Sequence, residues 1–285
     1  MNSDKHILAC VGSSPRADHV ADYAAWAARR LAAPLEFLHL IALHAEPGRA
    51  DDRSGAIGVD AQEHLLSKLA SDDAQAARLA RERAREHLQG LRLRALASGA
   101  DPVDGRLRYG EVEQTVAQVD GAARMVVIGR HPGAGGDAPG GVDVERIVRA
   151  SSAPVLTVPG GYHEPERAVI AFEGGAASLR RVQLLSSSAL LARMHIDLLM
   201  CGKPTAAAAN ALREARCLLE ASGLVVEASL APGDIDTAID AALARNPVDL
   251  LVMGGYSHSP VRTMLAGSRT TRLLRAFPIP TLLLR

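Results

Sequence analysis

The sequence predicts an α/β protein built from two tandem domains, each a doubly wound, parallel, five-stranded sheet. An internal repeat carries most of that prediction. Ala123-Arg-Met-Val-Val-Ile-Gly129, Glu145-Arg-Ile-Val-Arg-Ala150 and Ala153-Pro-Val-Leu-Thr-Val158 return as Val248-Asp-Leu-Leu-Val-Met-Gly254, Thr271-Arg-Leu-Leu-Arg-Ala276 and Ile279-Pro-Thr-Leu-Leu-Leu284. Gly129 and Gly254 are 125 residues apart, and Ala150 and Ala276 are 126 apart, so the register slips by one residue in the loop between. A period this long repeats a domain and not a solenoid unit. The other observation is that short apolar runs alternate with helix-patterned segments in both halves, as parallel strands joined by right-handed crossovers require. The domains are placed at residues 1–160 and 161–285.

In the first half, Ile7-Leu-Ala-Cys-Val11 is a short apolar run suited to a strand buried on both faces. A helix is expected from Ala17 to Ala32, with Val20, Ala24, Ala27, Ala28 and Leu31 as its apolar stripe. Pro34 stops it, and Leu35 to Ile41 reads as the second strand. After a Gly/Asp-rich loop comes a long, highly charged helical region from Val59 to Ala97, whose outward face is expected to be solvated. Arg106 to Tyr109 is a weaker strand, Glu111 to Gly121 a short helix, and Met125 to Ile128 a strong strand. A helix over Val142 to Ala150 and a strand over Val155 to Val158 complete the half.

Pro159 to Pro165 reads as a linker, and the pattern then restarts. Strands are expected at Val169 to Phe172, Ile196 to Met200, Leu224 to Leu230, Leu250 to Met253 and Thr281 to Leu284. Helices are expected from Ala176 to Met194, which would leave Ser186-Ser-Ser188 as neutral helix filler, and from Thr205 to Ala221. Strand one recurs at an offset of 161, setting Gly12 against Glu173, because the first half carries the long charged helical insert. The two final strands, short, apolar and preceded by proline, are expected to cover each other's edges.

Composition narrows the function classes. Lys plus Arg and Asp plus Glu both total 32 across 285 residues, so no net charge recruits nucleic acid or an anionic membrane. An aromatic content of 3% argues against a base-stacking surface. Cys10, Cys201 and Cys217 lack metal-ligand spacing and suit a reducing compartment; with no signal peptide visible, a cytoplasmic location is expected. The histidines form no metal-binding spacing, and no Ser/His/Asp or Cys/His set assembles, so neither a metal nor a catalytic residue is expected.

The chemistry concentrates after the fourth strand of the second half. Gly254 follows that strand, Ser257 comes after two intervening residues, and Gly267-Ser268 opens the next helix after nine more. Glycines admit close approach of a ligand, and a helix N-terminus offers free amides and a positive dipole to phosphate. From Leu250 to Arg285 there is no acidic residue but five arginines, which favours a polyphosphate.

Those residues carry a resemblance to the universal stress protein family in its tandem form. The family signature is Gly, two residues, Gly, nine residues, Gly, then Ser or Thr; Gly254, Ser257, Gly267 and Ser268 match its spacing, with Ser257 replacing the second glycine. Asp22 to Leu31 and the charged insert extend the resemblance over nearly the whole chain. It implies an adenine nucleotide alpha hydrolase-like fold, a non-catalytic stress-response regulator or sensor, and ATP or another adenine nucleotide as ligand. It also implies an intramolecular domain pair, with a homodimer of whole chains expected. An acid ending the first strand meets the adenosine end of the nucleotide in ATP-binding members; Glu173 supplies it in the second half, whereas the first half has Gly12. Pro132 and Val142 stand where the first half's second glycine and hydroxyl belong, so that copy is expected to be structural and ATP to bind only in the second. The alternative is a nucleotide-independent interaction scaffold of the same fold.

Overall fold

The computed structural model describes residues 5–12, 14, 16–41, 59–110, 112–130, 144–254, 274 and 277–285. Its first half contains strands β1 (His6–Val11), β2 (Leu35–Ile41), β3 (Val103–Tyr109), β4 (Ala123–Gly129) and β5 (Val155–Val158). With them run helices α1 (Ala17–Leu31), α2 (Val59–Ala97), α3 (Val112–Val119) and α4 (Val144–Ala150). The second half contributes β6 (Arg167–Phe172), β7 (His195–Cys201), β8 (Val225–Ala231), β9 (Leu250–Gly254) and β10 (Thr281–Leu284). Its helices are α5 (Gly175–Ser186), α6 (Ala206–Glu220) and α7 (Ile235–Arg245).

All of these strands join one 10-stranded sheet in the order β3-β2-β1-β4-β5-β10-β9-β6-β7-β8. Pairing is parallel within each half and antiparallel at the seam, where Thr281, Leu282 and Leu283 face Thr157, Leu156 and Val155. Two like-wound sheets meeting at equivalent edges must run antiparallel there. The expected edge pairing of the two last strands is therefore what the fold contains, and each apolar edge covers the other. Leu156 and Leu282 lie opposite each other and fully inside, worth on the order of 2 kcal/mol apiece in buried apolar area. Thr157, also buried, donates its hydroxyl to the Thr281 carbonyl at 3.3 Å.

The strands are buried on both faces, with side chains alternating between two core layers. Ile7, Ala9 and Val11 enter one layer, and Leu8 and Cys10 the other. The first layer packs against α1, α2, α5 and α6, the second against α3, α4 and α7, so both faces are covered as a doubly wound fold requires. The expected stripe of α1 is buried, but so are Tyr23, Ala25 and Trp26, because α2, the Tyr162–His163 segment and the Ala189–Leu191 turn also pack against α1. The last turns of α2 bury Ala84, Leu88, Leu91 and Ala95, whereas Ala74 to Arg83 remain exposed. The charged insert is thus solvated over one stretch and part of the core over the next. At 39 residues against 15 for α6, it marks the main difference between the halves.

One boundary is corrected. The helix expected from Ala176 to Met194 stops at Ser186, and the Ser188 side chain accepts a hydrogen bond from the Leu190 amide to open a short 3-10 turn over Ala189–Leu191. Serine competes for backbone donors, so Ser186 to Ser188 end one helix and cap the next turn instead of filling a helix. Thr205 and Asp234 cap α6 and α7 in the same manner, accepting from the amides of Ala208 and Thr237.

Candidate functional site

Each half has the strand order third, second, first, fourth, fifth, so the chain reverses its direction of winding between the first strand and the fourth. Ligands of open α/β sheets enter the crevice outside the carboxyl ends at that point. In the second half the crevice lies between the ends of β6 and β9. Ile170 pairs with Val252, which brings Gly254 alongside Phe172, with Glu173 as the next residue. Gly174 and Gly175 follow with φ of 73° and 78°, a left-handed turn that an L side chain would strain, and α5 begins there.

Ile170, Phe172, Ser178, Arg181, Gly254 and Leu284 line the crevice. The Glu173 carboxylate is 73% exposed, and Arg181, from the middle of α5, approaches it at 3.6 Å with only 15% of its own side chain exposed. The guanidinium lies flat on the bare backbone of Gly254: a methyl group there would come within 2.6 Å of Nη1 and 2.8 Å of Cζ. A side chain at Gly254 would have to displace the Arg181 guanidinium.

The first half has a different crevice. Gly12, at the end of β1, brings no acid, and Gly129 is covered by Val20 of α1, whose Cγ2 would stand 3.1 Å from an added Cβ. The next residue, Arg130, turns away into the other half. Its guanidinium donates to the carbonyls of Leu274, Phe277 (3.2 Å) and Ile279. Burial pulls its pKa down to about 10, which leaves it protonated at neutral pH.

Of the residues expected to bind a ligand, Glu173 and Gly254 share one crevice; Ser257, Gly267 and Ser268 lie outside the described residues. Arg181 was not anticipated. It is half of an Arg180-Arg181 pair on a helix and looks like a solvated charge, yet the offset of 161 that aligns Glu173 with Gly12 also aligns Arg181 with Val20. Among the described residues, no group of three or more His, Cys, Asp or Glu side chains could hold a metal ion. None of the described helices is long and apolar enough to cross a membrane.

The model of the universal stress protein family matches residues 4–159 and again 176–285. The chain belongs to the universal stress protein family. A universal stress protein of Synechocystis is 29% identical over 287 residues, covering 99% of this chain and all of the relative. Among solved structures, a universal stress protein from Archaeoglobus fulgidus superposes with a TM-score of 0.70 at 15% identity, covering 99% of this chain and 97% of that one. The tandem α/β fold of the family thus extends over the whole of this universal stress protein. The second match begins after β6, Glu173 and the two left-handed glycines.

Proposed function

We propose that this universal stress protein is a non-catalytic stress-response regulator that binds ATP or another adenine nucleotide in its second half, at one site per chain. The observation that carries the reading is that Arg181 approaches both the Glu173 carboxylate and the bare backbone of Gly254 at the switch point of the sheet. In this reading Glu173 receives the adenosine end, while Gly254, Ser257, Gly267 and Ser268 form the phosphate path. The first half lacks the acid at Gly12 and has Val20 beside Gly129 where the second half has Arg181, so it serves as a structural partner. In this reading ligand binding alters a protein surface, a shift of population and not a reaction. A cytoplasmic location suits the free thiols, of which Cys10 is buried and has its pKa pushed up to about 12. A homodimer of whole chains is part of the same proposal.

The test is to denature protein purified without added nucleotide and separate what it releases by chromatography, alongside calorimetric titration with ATP. Released adenine nucleotide, or a titration with a stoichiometry of one, supports the reading. One observation favours the second reading, a nucleotide-independent scaffold: Arg181 covers Gly254 in this conformation, where a nucleotide would have to displace or engage it. No release and no binding at millimolar ATP leave the scaffold.

A further inference from the structure

We propose that Arg181 is the anion-recognising residue of the second half's crevice, a role that Val20, its counterpart, cannot fill in the first. The inference deepens the nucleotide reading and rests on it for the location of the site. Its own ligand class is narrower: a polyphosphate.

The two halves provide an internal comparison. Arg181 and Val20 occupy the same slot, one on α5 over Gly254 and the other on α1 over Gly129, each being the side chain that an added Cβ would meet. A valine there needs only apolar neighbours. A guanidinium brings five N–H donors in a rigid fork and a charge that cannot be discharged at neutral pH. Filling space requires no arginine, as Val20 demonstrates.

The hydrogen-bonding state of Arg181 points the same way. Among the described residues its charge partner is Glu173 at 3.6 Å, beyond hydrogen-bonding distance, and its guanidinium makes no hydrogen bond with any of them. Arg167 at the opposite end of β6 behaves differently, with Nη1 donating to both oxygens of Asp197 at 3.1 and 3.2 Å. A largely buried cation with so few acceptors is costly, and a phosphate supplies two oxygens in the geometry of the fork. Glu173 is 73% exposed and can leave Arg181 for water, so the ion pair holds the guanidinium in the crevice without competing strongly for it.

A covering arginine and a recognising arginine predict opposite results when the charge is removed. The full-length protein and its Arg181→Gln and Arg181→Lys variants are titrated calorimetrically with ATP, adenosine and inorganic tripolyphosphate, their folding checked by circular dichroism. Recognition predicts that Arg181→Gln weakens ATP and tripolyphosphate by about ten-fold or more and leaves adenosine within about two-fold, with Arg181→Lys in between. ATP binding to Arg181→Gln as tightly as to wild type, or more tightly, makes Arg181 a cover and overturns the inference. Arg181-dependent binding of tripolyphosphate with no advantage for ATP upholds the inference while the adenine reading fails. Wild type that binds neither ATP nor tripolyphosphate removes both.

Discussion

Arg130, the residue that follows Gly129 in the first half, donates to the carbonyl of Phe277 in the second half at 3.2 Å. Leu274 and Ile279 accept from the same guanidinium, so one side chain ties the end of β4 to the chain leading into β10. A reciprocal tie runs the other way. Arg285, after β10, donates to the carbonyls of Arg149 and Ser151 at the end of α4, at 3.3 and 3.2 Å. The seam is therefore held by main-chain pairing between β5 and β10 and by an arginine from each half.

Removing Arg130 should loosen that seam. Arg130→Met keeps much of the apolar stem but strands three carbonyls, and hydrogen bonds to a charged donor are worth roughly 1.5–3 kcal/mol each before relaxation and water recover part of it. The expected loss is about 2–3 kcal/mol in urea unfolding at neutral pH. Arg130→Lys should fall between, because an ammonium reaches fewer of the acceptors. A variant as stable as wild type would mean that the carbonyls find water or one another.

The pH dependence of stability should carry a contribution from the core of the first half. His39 of β2 is buried, with the His87 ring of α2 edge-on at 5.9 Å between centroids. Desolvation, then the neighbouring His87, hold the His39 pKa below its ordinary value near 6.5. A histidine whose folded pKa lies below its unfolded value binds fewer protons in the native state. Its stability contribution is full above pH 6.5 and is lost as pH falls from there towards the folded pKa. Urea midpoints at pH 8 and pH 5.5 should therefore differ more for wild type than for His39→Leu. Equal differences would assign the acid sensitivity to other groups.

Much of this architecture was legible because it is written in local patterns that occur twice. The apolar runs at Val126 and Leu251 could be strands only if helices covered both their faces, and the helix-patterned segments between the runs were at hand. The charge-rich stretch from Val59 to Ala97 gave α2 its bounds, and the helix expected from Thr205 to Ala221 is α6. What stayed hidden depends on contacts between distant segments. Trp26 of α1 is fully buried because distant segments pack around the helix, and Arg130 resembles an ordinary loop arginine until β10 is paired with β5. The site was legible by halves: Glu173 and Gly254 through the offset and the glycine spacing, Arg181 only once Val20 was seen in its slot.

The asymmetry between the halves has a direct consequence for stoichiometry. ATP should titrate to one per chain, and Gly267→Val should abolish binding, since a branched Cβ would enter the phosphate path proposed for that segment. A substitution that acts on the ligand path alone should leave the urea midpoint of Gly267→Val near that of wild type. A stoichiometry of two, or unchanged affinity in Gly267→Val, would refute the assignment of the site to the second half.

Position 257 separates two meanings of the departure from the family signature. If glycine is required because the backbone turns through positive φ, Ser257 carries a cost of about 1 kcal/mol. That cost corresponds to roughly a five-fold loss of affinity, enough to weaken a site without destroying it. Ser257→Gly should then bind ATP about five-fold more tightly than wild type. If instead the Ser257 hydroxyl donates to a phosphate oxygen, Ser257→Gly and Ser257→Ala should both bind more weakly, because each removes the same donor. Titrating the three proteins side by side decides between strain and donation. If neither wild type nor Ser257→Gly binds ATP at millimolar concentration, the nucleotide reading fails and the scaffold reading takes its place.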